Sequence, residues 1–194
     1  MDLTILAVLE DESLSTIIDT SRIAIMGISA GGGLALSACL NTTLKERGCI
    51  KGVIPMMAVT DYTLTKAQRL ASISIDAQKG DVLKDIQLMI NAYMRKDEGY
   101  ITNPRASPVF ADVGLLPDRI MVVSARLDCL FGEQKRFVEK VREEKGDNGG
   151  LKRRVLERLG HSRSRNVRGG DVVKRWDEVW GEIAEFLEEI WIKE

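Results

Sequence analysis

Only one histidine, His161, stands in 194 residues, beside four prolines, three cysteines and a 5% share of aromatic side chains. Any chemistry that needs an imidazole therefore has a single candidate. Cys39, Cys49 and Cys129 are odd in number and widely spaced, which excludes a disulfide framework and a Cys-rich metal site and implies a reducing, cytoplasmic compartment. An excess of charge is missing too: 28 basic against 29 acidic side chains leave a formal charge of -1. Such a chain has no global field for polyanions or anionic lipid, so nucleic acid is excluded as a main partner. No apolar run approaches the roughly 20 residues that span a bilayer. Leu3 to Leu9 is short, contains Thr4 and follows Asp2, where a signal peptide would carry positive charge. Internal repeats, low-complexity segments and linkers are also lacking, so residues 1–194 read as a single domain.

What is present is an alternation of strand and helix. Ile23 to Met26 is an apolar run ending at Gly27, suited to a strand buried on both faces, and Leu34 to Leu44 follows as a helix. Helix-like spacing also marks residues 3–18. Gly52 to Val59 is a second strand, in which Pro55 must sit at an edge, a bulge or the end. Ile120 to Ala125 is the third strand, Gln134 to Lys145 a helix broken by Gly146 to Gly150, and Arg153 to Leu159 the fourth strand. Val172, Val173, Trp176, Val179, Trp180, Ile183, Leu187 and Ile190 make a final apolar helical stripe. The class is α/β with a mostly parallel sheet, whose sites lie at the carboxyl ends of strands.

Gly27-Ile28-Ser29-Ala30-Gly31 matches G-x-S-x-G between a strand and a helix, the context that pattern requires. Ser29 must then occupy a strained turn, and side chains at Gly27 and Gly31 are expected to collide, hence glycine at both. A phosphate-binding turn or plain helix–strand packing gives the same pattern. A serine hydroxyl needs a base, and His161 follows the last strand, at the same sheet edge; a lone histidine is otherwise a surface or capped core residue. A carboxylate must orient the imidazole. Asp128, after the third strand, is favoured over Asp61, after the second. Ser29, Asp128, His161 is the chain order of an α/β-hydrolase.

The stretch from Ser21 to Ala35, with Ser107-Pro108, Gly114-Leu115-Leu116-Pro117, Asp128-Cys129-Leu130 and Gly160-His161, resembles the hormone-sensitive-lipase-like carboxylesterases, an α/β-hydrolase family, over about residues 21–165. The resemblance implies a serine esterase: Ser29 the nucleophile, His161 the base and then the acid, Asp128 its partner and Ala30 an oxyanion-hole amide. It implies no metal or organic cofactor and a small-molecule ester as substrate. Residues 63–103 would be a cap insertion with a helix from Val82 to Tyr93; Ile73, Ile75, Leu83, Ile86, Leu88, Met89, Ile90 and Met94 would face an acyl chain or form the cap's own core.

Ile28, Cys129 and Ser162 depart from the Asp, Pro and Gly usual in that family. Its upstream His-Gly-Gly-Gly segment has no counterpart in the 28 residues before Ser29. The chain is thus expected to be truncated at the amino end, impaired in turnover, and open to self-association along an unpaired sheet edge at Ile23 to Met26. The alternative is a non-catalytic ligand-binding or remnant domain of the same fold; a nucleotide-binding module leaning on Asp61 is a third reading. Lys152, Arg153, Arg154, Arg158, Arg163, Arg165 and Arg168 read as a solvated face, and Trp176 and Trp180 as core packing.

Overall fold

Four strands pair into one sheet. In the computed structural model, which describes residues 2–14, 16–83, 85–94, 98–146, 150–161 and 170–192, these are β1 (Ile23–Ile28), β2 (Ile50–Met56), β3 (Arg119–Ala125) and β4 (Leu151–Leu156). They lie in the order β1-β2-β3-β4, every neighbouring pair parallel. Parallel neighbours need crossovers, and helices supply them. After α1 (Asp2–Glu10), α2 (Ala30–Cys39) and α3 (Thr42–Glu46) join β1 to β2. The stretch from β2 to β3 holds α4 (Lys66–Leu70), α5 (Ile75–Gly80), α6 (Ile86–Tyr93) and α7 (Glu98–Ile101). Next, α8 (Phe131–Lys145) joins β3 to β4, and α9 (Gly170–Ile192) comes after β4.

Alternate residues of the strands feed two cores. Ile25, Val53, Ile120 and Val122 pack with Leu36 of α2 and Phe137 of α8 on one face. Ile54, Met56, Met121, Val123 and Leu156 pack with Val179, Ile183 and Phe186 of α9 on the other. The inner strands β2 and β3 need apolar side chains on both faces and are the most deeply buried, whereas β4 at the sheet's other edge carries Lys152, Arg153 and Arg154. Pro55 sits one place from the end of β2, opposite Gly27 of β1. β1 is an edge strand, with Met26 and Ile28 about half exposed.

Several element ends differ from the sequence expectation, each for a local reason. α1 stops at Glu10 because Asp11 accepts from the Ser13 amide and hydroxyl at 2.9 and 2.5 Å, bonds that compete with helix. The helix expected from Leu34 to Leu44 starts earlier, at Ala30, and divides at Asn41, which accepts from the Leu44 amide at 3.1 Å and caps α3. β2 ends at Met56, where Met57 turns to φ 44°, and β4 ends at Leu156, before Arg158 at φ 64°. α6 begins at Ile86, four residues late, after Asp81 has taken the Leu83 amide at 2.8 Å. Gly146, at φ 74°, caps α8; residues 147–149 of the expected break lie outside the described residues.

The α9 stripe needs the clearest correction. Val172, Val179, Ile183 and Ile190 are buried, but Val173 is 61% and Trp180 44% exposed, and Phe186, absent from the expected stripe, is fully buried. Steps of three and four along the helix pick out 172, 176, 179, 183, 186 and 190; positions 173 and 180 sit one residue, about 100°, off that line. Trp180 instead leans on Trp176, ring centroids 6.3 Å apart. Two members of the basic carboxyl third are paired: Lys152 meets Glu189 at 2.8 Å, and Arg154 meets Glu178 and Glu182 at 3.1 and 3.2 Å. Arg163, Arg165 and Arg168 lie outside the described residues. All three cysteines are free and buried. Among the described residues no helix is long and apolar enough to cross a membrane.

Candidate active site

Three loops meet at the carboxyl edge of the sheet. Ser29 ends β1 and begins α2 with φ 58° and ψ -124°, a conformation that costs a side-chain-bearing residue about 1–3 kcal/mol and persists only where its surroundings enforce it. The enforcing bonds run from the Ser29 amide to the Met56 carbonyl at 2.9 Å and from the Gly32 amide to the Ser29 carbonyl at 3.0 Å. Close packing does the rest. A Cβ on Gly27 would lie 2.1 Å from the Gly31 oxygen, one on Gly32 2.7 Å from the Ala58 Cβ, and one on Gly33 2.7 Å from the Val59 oxygen. At Gly31 the expectation of a collision fails: nothing lies within 4 Å of an added Cβ. It is the Gly31 carbonyl, not its Cα, that faces Gly27.

Asp128 follows β3 and His161 follows β4, and the Leu127 amide donates to the Leu159 carbonyl at 2.9 Å, holding the two turns together. His161 Nδ1 lies 2.8 Å from Asp128 Oδ2, and His161 Nε2 lies 2.8 Å from Ser29 Oγ. With the Nδ1 proton donated to the carboxylate, Nε2 is left to accept from the serine hydroxyl. Both His161 and Asp128 are buried. Burial pushes the Asp128 carboxyl up, opposed by its hydrogen bonds from His161 and from the Leu130 amide. Ala30 and Gly31 open α2, where the first-turn amides have no intrahelical acceptor and the helix dipole favours negative charge.

Asp61, the competing acid, is engaged elsewhere: it accepts from Thr63 at 2.9 and 2.5 Å and pairs with Arg136 at 3.0 Å. Asp81 comes close to the site from the segment before α6. Its carboxylate, that of Asp128 and the Cys129 thiol fall within 4.8 Å of one another, a donor set a metal could use. Protein groups already occupy it, since Asp81 accepts from the Cys129 and Leu83 amides and Asp128 from His161 and Leu130. Of the apolar residues in 63–103, Ile73, Ile86, Ile90 and Met94 are buried with Val59, Cys129 and Leu130, whereas Ile75, Leu88 and Met89 are exposed.

The profile of a family described as alpha/beta hydrolase fold matches residues 3–157. This chain belongs to that family. The alpha/beta hydrolase match begins upstream of the similarity read from the residues and stops just short of His161. Among solved structures, the chain is similar to an esterase of Pyrobaculum calidifontis, with a TM-score of 0.78 and 18% identity over 97% of this chain and 59% of that one. It is also similar to brefeldin A esterase, described as a bacterial homologue of human hormone sensitive lipase (0.70, 24%, 97% and 52%), and to an arylesterase (0.74, 23%, 97% and 58%). At these identities the likeness is one of fold. The chain spans between about half and three fifths of the length of these neighbours. Comparison with curated protein sequences gives no significant match.

Two features of the site escaped the sequence reading. Arg69 and Glu133, both essentially unexposed, pair at 3.0 Å beneath the loop after β2, and Glu133 also accepts from the Thr60 amide at 2.7 Å. Burial raises the Glu133 carboxyl to about 7, against the pull of Arg69. Charge in a sequence does not announce burial, so nothing marked this pair. A cleft of about 330 Å³ beside Ala30 is lined by Tyr62, Tyr93 and Tyr100. These are all the tyrosines of the chain, and their confinement to residues 62–100 was the available signal.

Proposed function

We propose that this chain is a serine hydrolase acting on carboxylic esters of small molecules. The observation that supports it is the unbroken series of 2.8 Å contacts from Ser29 Oγ through His161 to Asp128, beginning at a serine with a positive φ. In this reading Ser29 Oγ adds to the ester carbonyl carbon while Nε2 takes its proton. The oxyanion so formed lies at the start of α2, where the Ala30 amide can donate to it. Collapse breaks the bond to the alcohol oxygen, which leaves with the proton from His161, and Ser29 keeps the acyl group. Water, deprotonated by His161, then releases the acid and restores the serine. Asp128 holds the imidazole in the useful tautomer and stabilises its protonated form.

Residues 63–103 act in this proposal as a cap over the sheet edge, within one domain. A reducing, cytoplasmic location is favoured by three free buried thiols. The outer edge of β1 is where a second copy would add a strand; sedimentation at increasing concentration tests this. For the function itself, intact-mass analysis after a fluorophosphonate should show one adduct per chain, lost in Ser29→Ala. A chain folded by circular dichroism that takes no adduct refutes the reading and favours a non-catalytic member of the fold.

A further inference from the structure

We propose that the cleft beside Ala30 is the acyl subsite and that it selects esters of aryl-substituted acids over straight-chain aliphatic ones. The inference rests on the ester-hydrolase reading and concerns which acyl group that site takes. One wall is a stripe on α2, Ala30, Gly33, Leu34 and Ser37, spaced i, i+3, i+4 and i+7. It starts at the residue after Ser29 and runs about 10 Å along the helix axis. The facing wall comes from Tyr62 after β2, Tyr93 at the end of α6 and Tyr100 in α7.

Geometry assigns the arm. His161 must reach the leaving oxygen, so the alcohol lies on its side of Ser29. A separate hollow of about 240 Å³ is bounded by His161, Gly160, Leu127 and Asp81. The α2 cleft touches none of these residues and begins at Ala30, the residue after the nucleophile. It is therefore left for the acyl part, whose carbonyl oxygen would rest at the start of α2.

Chemistry assigns the ligand class. Three phenol rings around one cleft offer faces and edges to another ring, each such pair contributing roughly two- to tenfold in affinity. A flexible alkyl chain gains the apolar contact but not the ring geometry. The walls are neutral: burial pushes the Tyr62 phenol up to about 12, and the Arg105 guanidinium at the rim is held by Asp2. A charged acyl tail finds no counter-ion there.

The test uses the whole chain with ¹³C-labelled tyrosine, whose three ring signals report on the cleft directly. Titration with 3-phenylpropanoate should move all three saturably, at least tenfold more tightly than hexanoate. Leu34→Trp, which fills the cleft, should abolish the shifts. Tyr93→Leu, at a side chain 69% exposed and so tolerant of change, should weaken them if Leu34→Trp fails to fold. In parallel, p-nitrophenyl 3-phenylpropanoate should exceed p-nitrophenyl hexanoate in kcat/KM by about tenfold, a ratio that falls toward one in Tyr93→Leu. Absent shifts, or equal affinity for the two acids, overturn the subsite even if Ser29 turns esters over. Shifts without turnover or fluorophosphonate adduct keep the subsite and overturn the hydrolase reading instead.

Discussion

Alanine at Gly27 and alanine at Gly31 should have opposite effects, although the two glycines occupy symmetric places around Ser29. At Gly27 the new methyl would lie 2.1 Å from the Gly31 oxygen, more than an ångström inside ordinary contact, and 2.8 Å from the Gly32 nitrogen. Both neighbours are backbone, so relief requires the start of α2 to move away from β1. Overpacking of this kind costs about 1–3 kcal/mol, and backbone on both sides puts Gly27→Ala at the upper end. At Gly31 the methyl meets nothing within 4 Å, and its φ is not positive. Replacing glycine within a helix then stabilises by up to about 0.5–1 kcal/mol. With a urea m-value of about 2 kcal/mol/M, the unfolding midpoint should fall by about 1–1.5 M in Gly27→Ala and rise by about 0.2–0.5 M in Gly31→Ala. Fluorophosphonate labelling should slow at least tenfold in the first, because Ser29 moves with the helix start. If Gly31→Ala lowers the midpoint as far as Gly27→Ala does, the packing argument is wrong.

Asp128→Asn should keep the fold by circular dichroism yet slow labelling of Ser29 by about 10⁴, since an amide holds the imidazole in the wrong tautomer; a loss under tenfold would remove Asp128 from the proposed role. The Glu133 carboxyl, ordinarily near 4.5 and raised to about 7, binds its proton more tightly in the folded chain than in the unfolded one. Its contribution to stability is thus full below about pH 4.5 and is lost as pH rises through 7. Glu133→Gln should flatten this dependence in urea titrations between pH 5 and 7, while the unpaired Arg69 lowers stability by about 3–5 kcal/mol; an unchanged slope would contradict the assignment. On α9, Phe186→Ala should cost about 3–5 kcal/mol and Trp180→Ala under about 1.5, as read from thermal or urea unfolding.

Ile120 to Ala125 was legible because a strand buried on both faces must be continuously apolar, and Ile23 to Met26 carries the same signal although its edge position leaves Met26 about half exposed. The meeting of Ser29, Asp128 and His161 was legible because parallel strands deliver their following residues to one edge, whatever the separation in sequence. Less legible was anything decided by a single angle or a single hydrogen bond. Val173 and Trp180 are as apolar as their neighbours yet face solvent, and Phe186 was passed over in favour of Leu187. Helix boundaries at Glu10, Cys39 and Ile86 were set by Asp11, Asn41 and Asp81, each taking a backbone amide nearby. Spacing in the motif suggested that Gly31 mattered sterically, whereas contacts show that Gly32 and Gly33 do. The Arg69–Glu133 pair and the tyrosine-lined cleft depend on distant segments meeting, which no local pattern encodes.

The hydrogen-bonded series joins residues 29, 128 and 161, taken from the ends of the first, third and fourth strands. During synthesis Ser29 leaves the ribosome long before His161, and until β4 lies against β3 the proposed hydrolase has in that serine an ordinary alcohol. Under the proposed function, reactivity at Ser29 would be a census of finished molecules: it would count chains in which β4 has docked, and none that are merely collapsed. The same arrangement makes silence the first symptom of damage. Among the described residues β4 pairs on one side only, and its fraying would carry His161 away while the other three strands stayed paired.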